Sequence, residues 1–236
     1  MVFKGWQKTS LIEYPGKVAT VLFTGGCSFR CPFCYNAPLV LDPGAIPDLA
    51  AGTVLSYLEA NRRLYQAVVV TGGEPTLAAG LPEFFASVGE LGLLRGLETN
   101  GSAPEVLRGL LAAGLVEYVA MDVKARLDWD AYRRAAGLAE SQSGLLEQVR
   151  ASIAILRSAP IEVEFRTTAV PGLHSEQDLL DLAGELAGVK RFVLQRFEPA
   201  NAAAPELRRA GPYPRPALEA VARKASGWFG ALELRG

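Results

Sequence analysis

The stretch VATVLFTGGCSFRCPFC, residues 18–34, decides how the rest of the chain is read. Its apolar, partly β-branched start runs into Gly25-Gly26, which describes a strand ending in a turn. The turn opens directly onto Cys27, Cys31 and Cys34, a C-x3-C-x2-C spacing. Working outward, short β-rich runs recur at residues 66–71, 96–99, 118–123, 161–168 and 191–196. Helical patterns lie between them at 51–61, 81–91, 103–113, 145–157 and 175–186, and a last one covers 215–228. Pro82 and Pro104 fall in the first turns of the expected helices, and Ser175 with Asp178 forms a capping-box-like start. Gly92, Gly114 and Gly188 stand where helix ends want a left-handed residue.

This alternation predicts βα units and a parallel sheet. Six units do not complete an eight-stranded barrel. The expected architecture is therefore α/β: a partial, open (β/α)6 barrel of the TIM type with parallel strands. The expected organisation is one domain over residues 1–236, with a core at about 17–198 and a C-terminal loop and helix at 199–236.

Half of the 236 residues are apolar and 21% are charged, enough to bury a full core and unlike a disordered or coiled-coil chain. Lys and Arg number 24 against 25 Asp and Glu, with no long run of either sign. That balance argues against a nucleic-acid partner bound by phosphate neutralisation. Lys4, Lys8, Glu13 and Lys17 interrupt the start of the chain, so no signal-peptide core fits there. No uncharged stretch reads as a membrane span. The expectation is a cytoplasmic protein with neither membrane nor nucleic acid as partner. No dinucleotide fingerprint, phosphate loop or hydrolase constellation is present.

Parallel α/β folds bind ligands at the carboxyl ends of their strands. Every unusual residue group lies at such an end: the cysteines, TGGEP at 71–75, ETNG at 98–101, Asp122 and Lys124, Arg166, and residues 195–198. The chain's only three cysteines share one loop, which suits a metal site rather than a disulfide framework. Thiolates ligate iron–sulfur clusters, and three of them leave one iron of a four-iron cluster open for chemistry. A Cys3His zinc site with His174, the only histidine, is the alternative; the spacing favours the cluster. Strand alternation sets Ala120, Asp122 and Lys124 on one face and Val119, Met121 and Val123 on the other. Glu162, Glu164 and Arg166 oppose Val163 and Phe165 in the same way. Charges aimed into a barrel either serve a ligand or pair with one another, as Lys124 with Glu164 would.

The cysteine spacing with Phe33 before its last member resembles the radical S-adenosylmethionine enzymes. Residues 9–40, TGGEPT, ETNG, MDVK and RTTAVPGLH are closer still to the activating enzymes of glycyl-radical enzymes, in particular those of anaerobic ribonucleotide reductase and pyruvate formate-lyase. The resemblance covers residues 4–199 and leaves the C-terminal segment unmatched. It implies that Cys27, Cys31 and Cys34 hold a [4Fe-4S] cluster whose open iron chelates S-adenosylmethionine. Reductive cleavage would then give methionine and a 5′-deoxyadenosyl radical, which takes a hydrogen from a glycine of the partner enzyme. By the same resemblance Phe33 packs beside the adenine, and Gly72, Gly73 and Glu74 meet the methionine amino group. Asp122 and Lys124 contact the methionine end or ribose, Arg166 approaches the carboxylate, and Asn100 and His174 are ribose or substrate-side contacts. A low-potential flavodoxin or ferredoxin supplies the electron. Other members of the superfamily act on small molecules, and that reading stays open. Arg208, Arg209 and Tyr213, with His174 nearby, are expected to form part of this chain's surface for docking the partner.

Overall fold

The computed structural model describes residues 1–236. The chain opens with β1 (Val2–Phe3), β2 (Gly5–Ser10) and β3 (Ala19–Thr24), then α1 (Ala37–Leu41), β4 (Leu49–Ala50), α2 (Ala51–Ala60) and β5 (Ala67–Gly72). Next come α3 (Leu81–Glu90), β6 (Leu94–Thr99), α4 (Pro104–Ala112), β7 (Tyr118–Asp122), α5 (Trp129–Ala136), α6 (Gly144–Arg157) and β8 (Glu162–Ala169). The chain finishes with α7 (Glu176–Glu185), β9 (Arg191–Arg196), α8 (Pro205–Arg208), α9 (Arg215–Ala225) and β10 (Ala231–Arg235). One eight-stranded sheet, in the order β10-β9-β8-β7-β6-β5-β3-β2, carries the fold. It is parallel from β3 to β10, with β2 antiparallel at one edge. The sheet curls without closing, because its end strands β2 and β10 do not pair.

Sequence alternation becomes two layers of packing. Outward-facing Leu22, Val68, Val70, Leu97, Val119, Met121 and Phe165 join the helices in one large core. Inward-facing Val21, Ala67, Val69, Tyr118 and Ala120 form a smaller cluster with Tyr14, which the loop after β2 inserts from below. Small side chains on the inner face leave room within the curl.

The six expected parallel strands are present, and the structure adds a seventh. Strand β10 lies beyond the expected helix at 215–228, which ends at Ala225, and pairs in parallel with β9 from Ala231 to Arg235. Helix α5 was not anticipated either. Its sequence, WDAYRRAA, is polar on average, and its buried face is made of Ala131, Tyr132, Ala135 and Ala136 rather than large aliphatics. Local chemistry defines it all the same. Asp128 accepts from the Ala131 amide at 3.0 Å at the start, and Gly137 ends it with φ +64°. At α7, Ser175 and Asp178 bond each other's backbone amides at 3.1 and 2.9 Å, a complete capping box.

Candidate metal and cosubstrate site

The turn after β3 places all three cysteines against the carboxyl rim of the sheet. Their thiols line one cavity of about 350 Å³, together with Phe33, Gly72, Gly73, Asn100, Asp122, Lys124 and Arg166. A larger groove of about 530 Å³ lies apart from it, along Met1, Val2 and Lys4, and contains no thiol or carboxylate.

Backbone geometry holds the cysteine loop. Gly72 (φ +114°) and Gly73 lie so close to this segment that a Cβ would meet the Thr24 amide nitrogen at 2.4 Å or the Gly26 carbonyl at 1.8 Å. The glycine pair is therefore required for packing of backbone on backbone. Hydrogen bonds seal that contact: Gly73 N–H to the Thr24 carbonyl, and Glu74 N–H to the Gly26 carbonyl, at 2.9 and 2.8 Å. The Asn36 side chain donates to the Gly72 carbonyl at 3.0 Å. Two donors approach the Cys27 sulfur, the Phe29 amide at 3.4 Å and Asn100 Nδ2 at 3.5 Å. Asn100 also holds Ser28, which bonds Ser102 at 2.7 Å. Burial pushes all three thiols up, Cys31 to about 12, while Lys124 pulls them back. Thiols so placed ionise when a metal brings its own positive charge.

The charged residues divide into those free to face the cavity and those already spent. Lys124 Nζ lies 2.9 Å from Asp122 Oδ2, not on Glu164, and 5.9 Å from the centre of the Phe33 ring. Burial works against its ammonium, but Asp122 and Cys31 more than offset this and hold its pKa above the usual lysine range. Arg166 reaches the cavity wall with its guanidinium engaged, by Glu164 at 2.5 Å, Glu98 at 2.6 Å and the Tyr118 hydroxyl at 3.0 Å.

Two expected contacts turn inward. Glu74 is 1% exposed, and its carboxylate accepts from the Thr76 amide and hydroxyl, the Thr99 hydroxyl and the Asn100 amide, all within 3.1 Å. It ties the ends of β5 and β6 together and has no oxygen free for an ammonium, so the Gly72-Gly73 backbone is what faces the cavity here. His174 is buried: Val170 N–H donates to Nδ1 at 3.0 Å, so Nε2 carries the hydrogen and donates to the Lys124 carbonyl at 2.8 Å. Burial lowers its pKa. With both nitrogens spent it is neither a ribose contact nor the fourth ligand of a zinc site. The expected docking residues are also partly consumed. Tyr213 donates to the His174 carbonyl, and Arg208 folds back on the carbonyls of Ala202 and Ala203.

The comparisons with known proteins meet this geometry at the cysteine loop. The family described as the radical SAM superfamily matches residues 21–184. The chain belongs to the radical SAM superfamily. Within it, the "Putative glycyl-radical enzyme activating enzyme MJ1227" of Methanocaldococcus jannaschii is 32% identical over 202 residues, 85% of this chain and 81% of that one. GTP 3′,8-cyclase of Rhodobacter capsulatus is 28% identical over 160 residues, 66% of this chain and 45% of the cyclase. Among solved structures, SuiB of Streptococcus suis bound to its precursor peptide SuiA superposes with a TM-score of 0.67 at 14% identity. The match covers 92% of this chain, which spans about half of SuiB (48%). QueE of Escherichia coli superposes with a TM-score of 0.52 at 16% identity over 99% of this chain and 91% of its own. These distant structures share the fold. The chain is a radical SAM enzyme of the activase type, and no helix is long and apolar enough to cross a membrane.

A radical SAM enzyme needs an iron–sulfur cluster, and the donor set fits one. Three soft ligands project from one short loop into one cavity, two amide donors approach the first sulfur, and a lysine ammonium stands nearby. Sequence reasoning missed Glu13, which lines the same cavity from the loop after β2. That loop has no periodicity to point its side chains, so only the tertiary structure brings Glu13 beside Glu98. Tyr35 was missed as well; its ring stacks on Phe197 at 6.3 Å, and its hydroxyl accepts from the Glu198 amide at 2.6 Å.

Proposed function

We propose that this chain cleaves S-adenosylmethionine reductively and installs a glycyl radical on a partner enzyme, anaerobic ribonucleotide reductase being the favoured one. The observation that carries the reading is the likeness to the archaeal activating enzyme over most of both chains, centred on a cavity where the only three thiols meet. When bound, a [4Fe-4S] cluster supplies the electron that breaks the sulfonium C5′–S bond and an open iron that chelates the methionine end. In this reading Cys27, Cys31 and Cys34 hold the cluster. Phe33 offers an aromatic face to the adenine, and the backbone at Gly72 and Gly73 accepts from the methionine ammonium. Lys124, with Asp122 to steady it, reaches the carboxylate or ribose; Asn100 orients Cys27 and Ser28 at the same rim. Arg166 acts at one remove, because its guanidinium is shared between Glu98 and Glu164. The electron comes from a flavodoxin or ferredoxin of low potential, and the location is cytoplasmic.

An abstracted glycine α-hydrogen is a suitable target because no side chain blocks approach and the product radical spreads over two flanking amides. The decisive experiment is anaerobic. Reduced protein, S-adenosylmethionine and the candidate glycyl-radical enzyme are mixed, and the glycyl radical is read by EPR. The expected signal disappears when the partner's glycine is replaced by alanine. Repeated turnover on a metabolite with no such signal would move the assignment to a small-molecule enzyme.

A further inference from the structure

Asn100, just past the end of β6, spends its side chain on the cysteine loop. The Ser102 amide, which can only donate, lies 2.9 Å from Oδ1 and so fixes which end of the carboxamide is oxygen. The –NH2 group is thereby turned to the loop. One hydrogen goes to the Ser28 hydroxyl at 3.1 Å and the other to the Cys27 sulfur at 3.5 Å, a reach that suits an acceptor as large as sulfur. No other side chain donates to any of the three sulfurs, although the Phe29 amide joins Asn100 on Cys27 at 3.4 Å.

The donor is buried and held from several sides. The Asn100 amide donates to the Glu74 carboxylate at 2.7 Å, the Gly101 amide to the Thr99 hydroxyl at 3.1 Å, and the Ser152 hydroxyl to the Gly101 carbonyl at 2.7 Å. At Gly101 (φ +75°) a Cβ would meet the Met121 methyl at 2.0 Å, so the turn closes tightly on β7. The inward carboxylate of Glu74 thus has a task, because it fixes the residue that reaches the sulfur. A turn alone would not need the nitrogen. Aspartate or serine would offer the Ser102 amide the same kind of acceptor, and asparagine adds a donor aimed at Cys27.

We propose that Asn100 tunes the iron–sulfur cluster: its Nδ2–H bonds the Cys27 thiolate and raises the reduction potential. It is a positioning residue, and both of its N–H groups are spent before a ribose arrives. Ionised sulfur is a stronger acceptor than the thiol, so loading strengthens a bond already made. Reduction adds negative charge, and a donor on sulfur offsets it, which favours the reduced form. The inference rests on the reading of Cys27 as a cluster ligand.

The test reconstitutes wild type, Asn100→Ser and Asn100→Asp with iron and sulfide under anaerobic conditions, and no S-adenosylmethionine is added. Both variants keep an acceptor for the Ser102 amide. Serine is neutral and too short to reach Cys27, whereas aspartate puts an acceptor where the donor stood. Expected are equal iron and sulfide contents, with midpoints by EPR-monitored titration that become more negative in the order Asn, Ser, Asp. For serine the loss is about tenfold in the ratio of reduced to oxidised cluster at a fixed potential, about 59 mV for one electron. The iron–sulfur Raman bands of wild type should shift in D2O, and those of the serine variant should shift less. A loaded serine variant with the midpoint and the D2O shift of wild type would overturn the proposal, as would a change confined to S-adenosylmethionine affinity. Wild-type bands that show no D2O shift would overturn it even if neither variant loads. A wild type that takes up no iron would overturn the cluster assignment itself, and the inference with it.

Discussion

The carboxyl rim of the barrel and the middle of the same barrel both carry charge on inward-facing strand positions, and they use it differently. Two residues separate them along the strands. Glu164, with no exposed side-chain surface, accepts from Arg166 at 2.5 Å and Arg235 at 2.8 and 2.9 Å, and Arg191 lies 3.3 Å away. Glu98 adds itself through Arg166 and Glu233 through Arg191 and Arg235. At the rim, Asp122 and Lys124 pair only with each other and still line the cavity with the three thiols. Charge in the middle is saturated by charge, whereas at the rim it is left with unfilled valence beside a space. A buried network of the first kind holds strands in register; a pair of the second kind waits for a ligand.

The largest expected effect breaks the rim alone. Cys27→Ala, Cys31→Ala or Cys34→Ala should each abolish reductive cleavage of S-adenosylmethionine, read as 5′-deoxyadenosine formed after reduction. Retention of cleavage in all three would remove the cluster from the rim and with it the comparison. The next effect breaks the middle. Glu164→Gln removes the negative charge that Arg166, Arg191 and Arg235 share and replaces one acceptor oxygen by a donor, and one-sided loss of a buried ion pair costs about 3–5 kcal/mol. A lower urea midpoint should report it, with little change in the affinity of whatever folded protein remains. Lys124→Ala sharpens the contrast from the other side. Loss of a charge-assisted contact should weaken S-adenosylmethionine binding by about a hundredfold while iron still loads. Normal binding with an early melt would make the Lys124–Asp122 pair structural, like the network below it.

The sequence made one half of this comparison legible. Alternation at 118–124 and 161–168 says which side chains face inward, and the rim follows from parallel strands ending in glycine, cysteine and charge. What alternation does not carry is the partner. Arg166 and Lys124 look equivalent in sequence, but register sets Arg166 level with Asp122 and its fork between Glu98 and Glu164. Lys124 lies past the end of β7, where it folds back on its near neighbour Asp122. Glu74 and His174 show the same limit, since their hydrogen bonds go to residues from 2 to 50 positions away. Strand β10 escaped because ALELR is short, follows a helix and buries no residue fully. Its reason to pair is the arginine that reaches Glu164, a contact 71 residues distant.

The smallest expected effect is a pH dependence, and the two regions should bend it in opposite directions. Burial first, then the charge and hydrogen bond of Glu98, raise Glu13 from 4.5 to about 7, with Arg166 and Arg235 opposing. Between pH 4.5 and 7 the folded protein therefore holds a proton that the unfolded chain has released. Stability from Glu13 is complete below 4.5 and is lost as pH rises through about 7. His174 behaves the other way: burial lowers it from 6.5, against the Lys124 carbonyl, Asp178 and Val170, so the unfolded chain takes up the proton first and stability falls as pH drops below 6.5. Below pH 6.5 the two effects oppose each other, so urea midpoints from pH 4.5 to 8.5 are compared between wild type and Glu13→Gln. The variant, which keeps a neutral group beside Glu98, should remove the loss between pH 4.5 and 7 and leave a steeper fall below 6.5 from His174. A loss of stability between pH 4.5 and 7 that survives Glu13→Gln would show that Glu13 holds no proton in the folded protein, and that charge in the middle of the barrel is balanced by ion pairs alone.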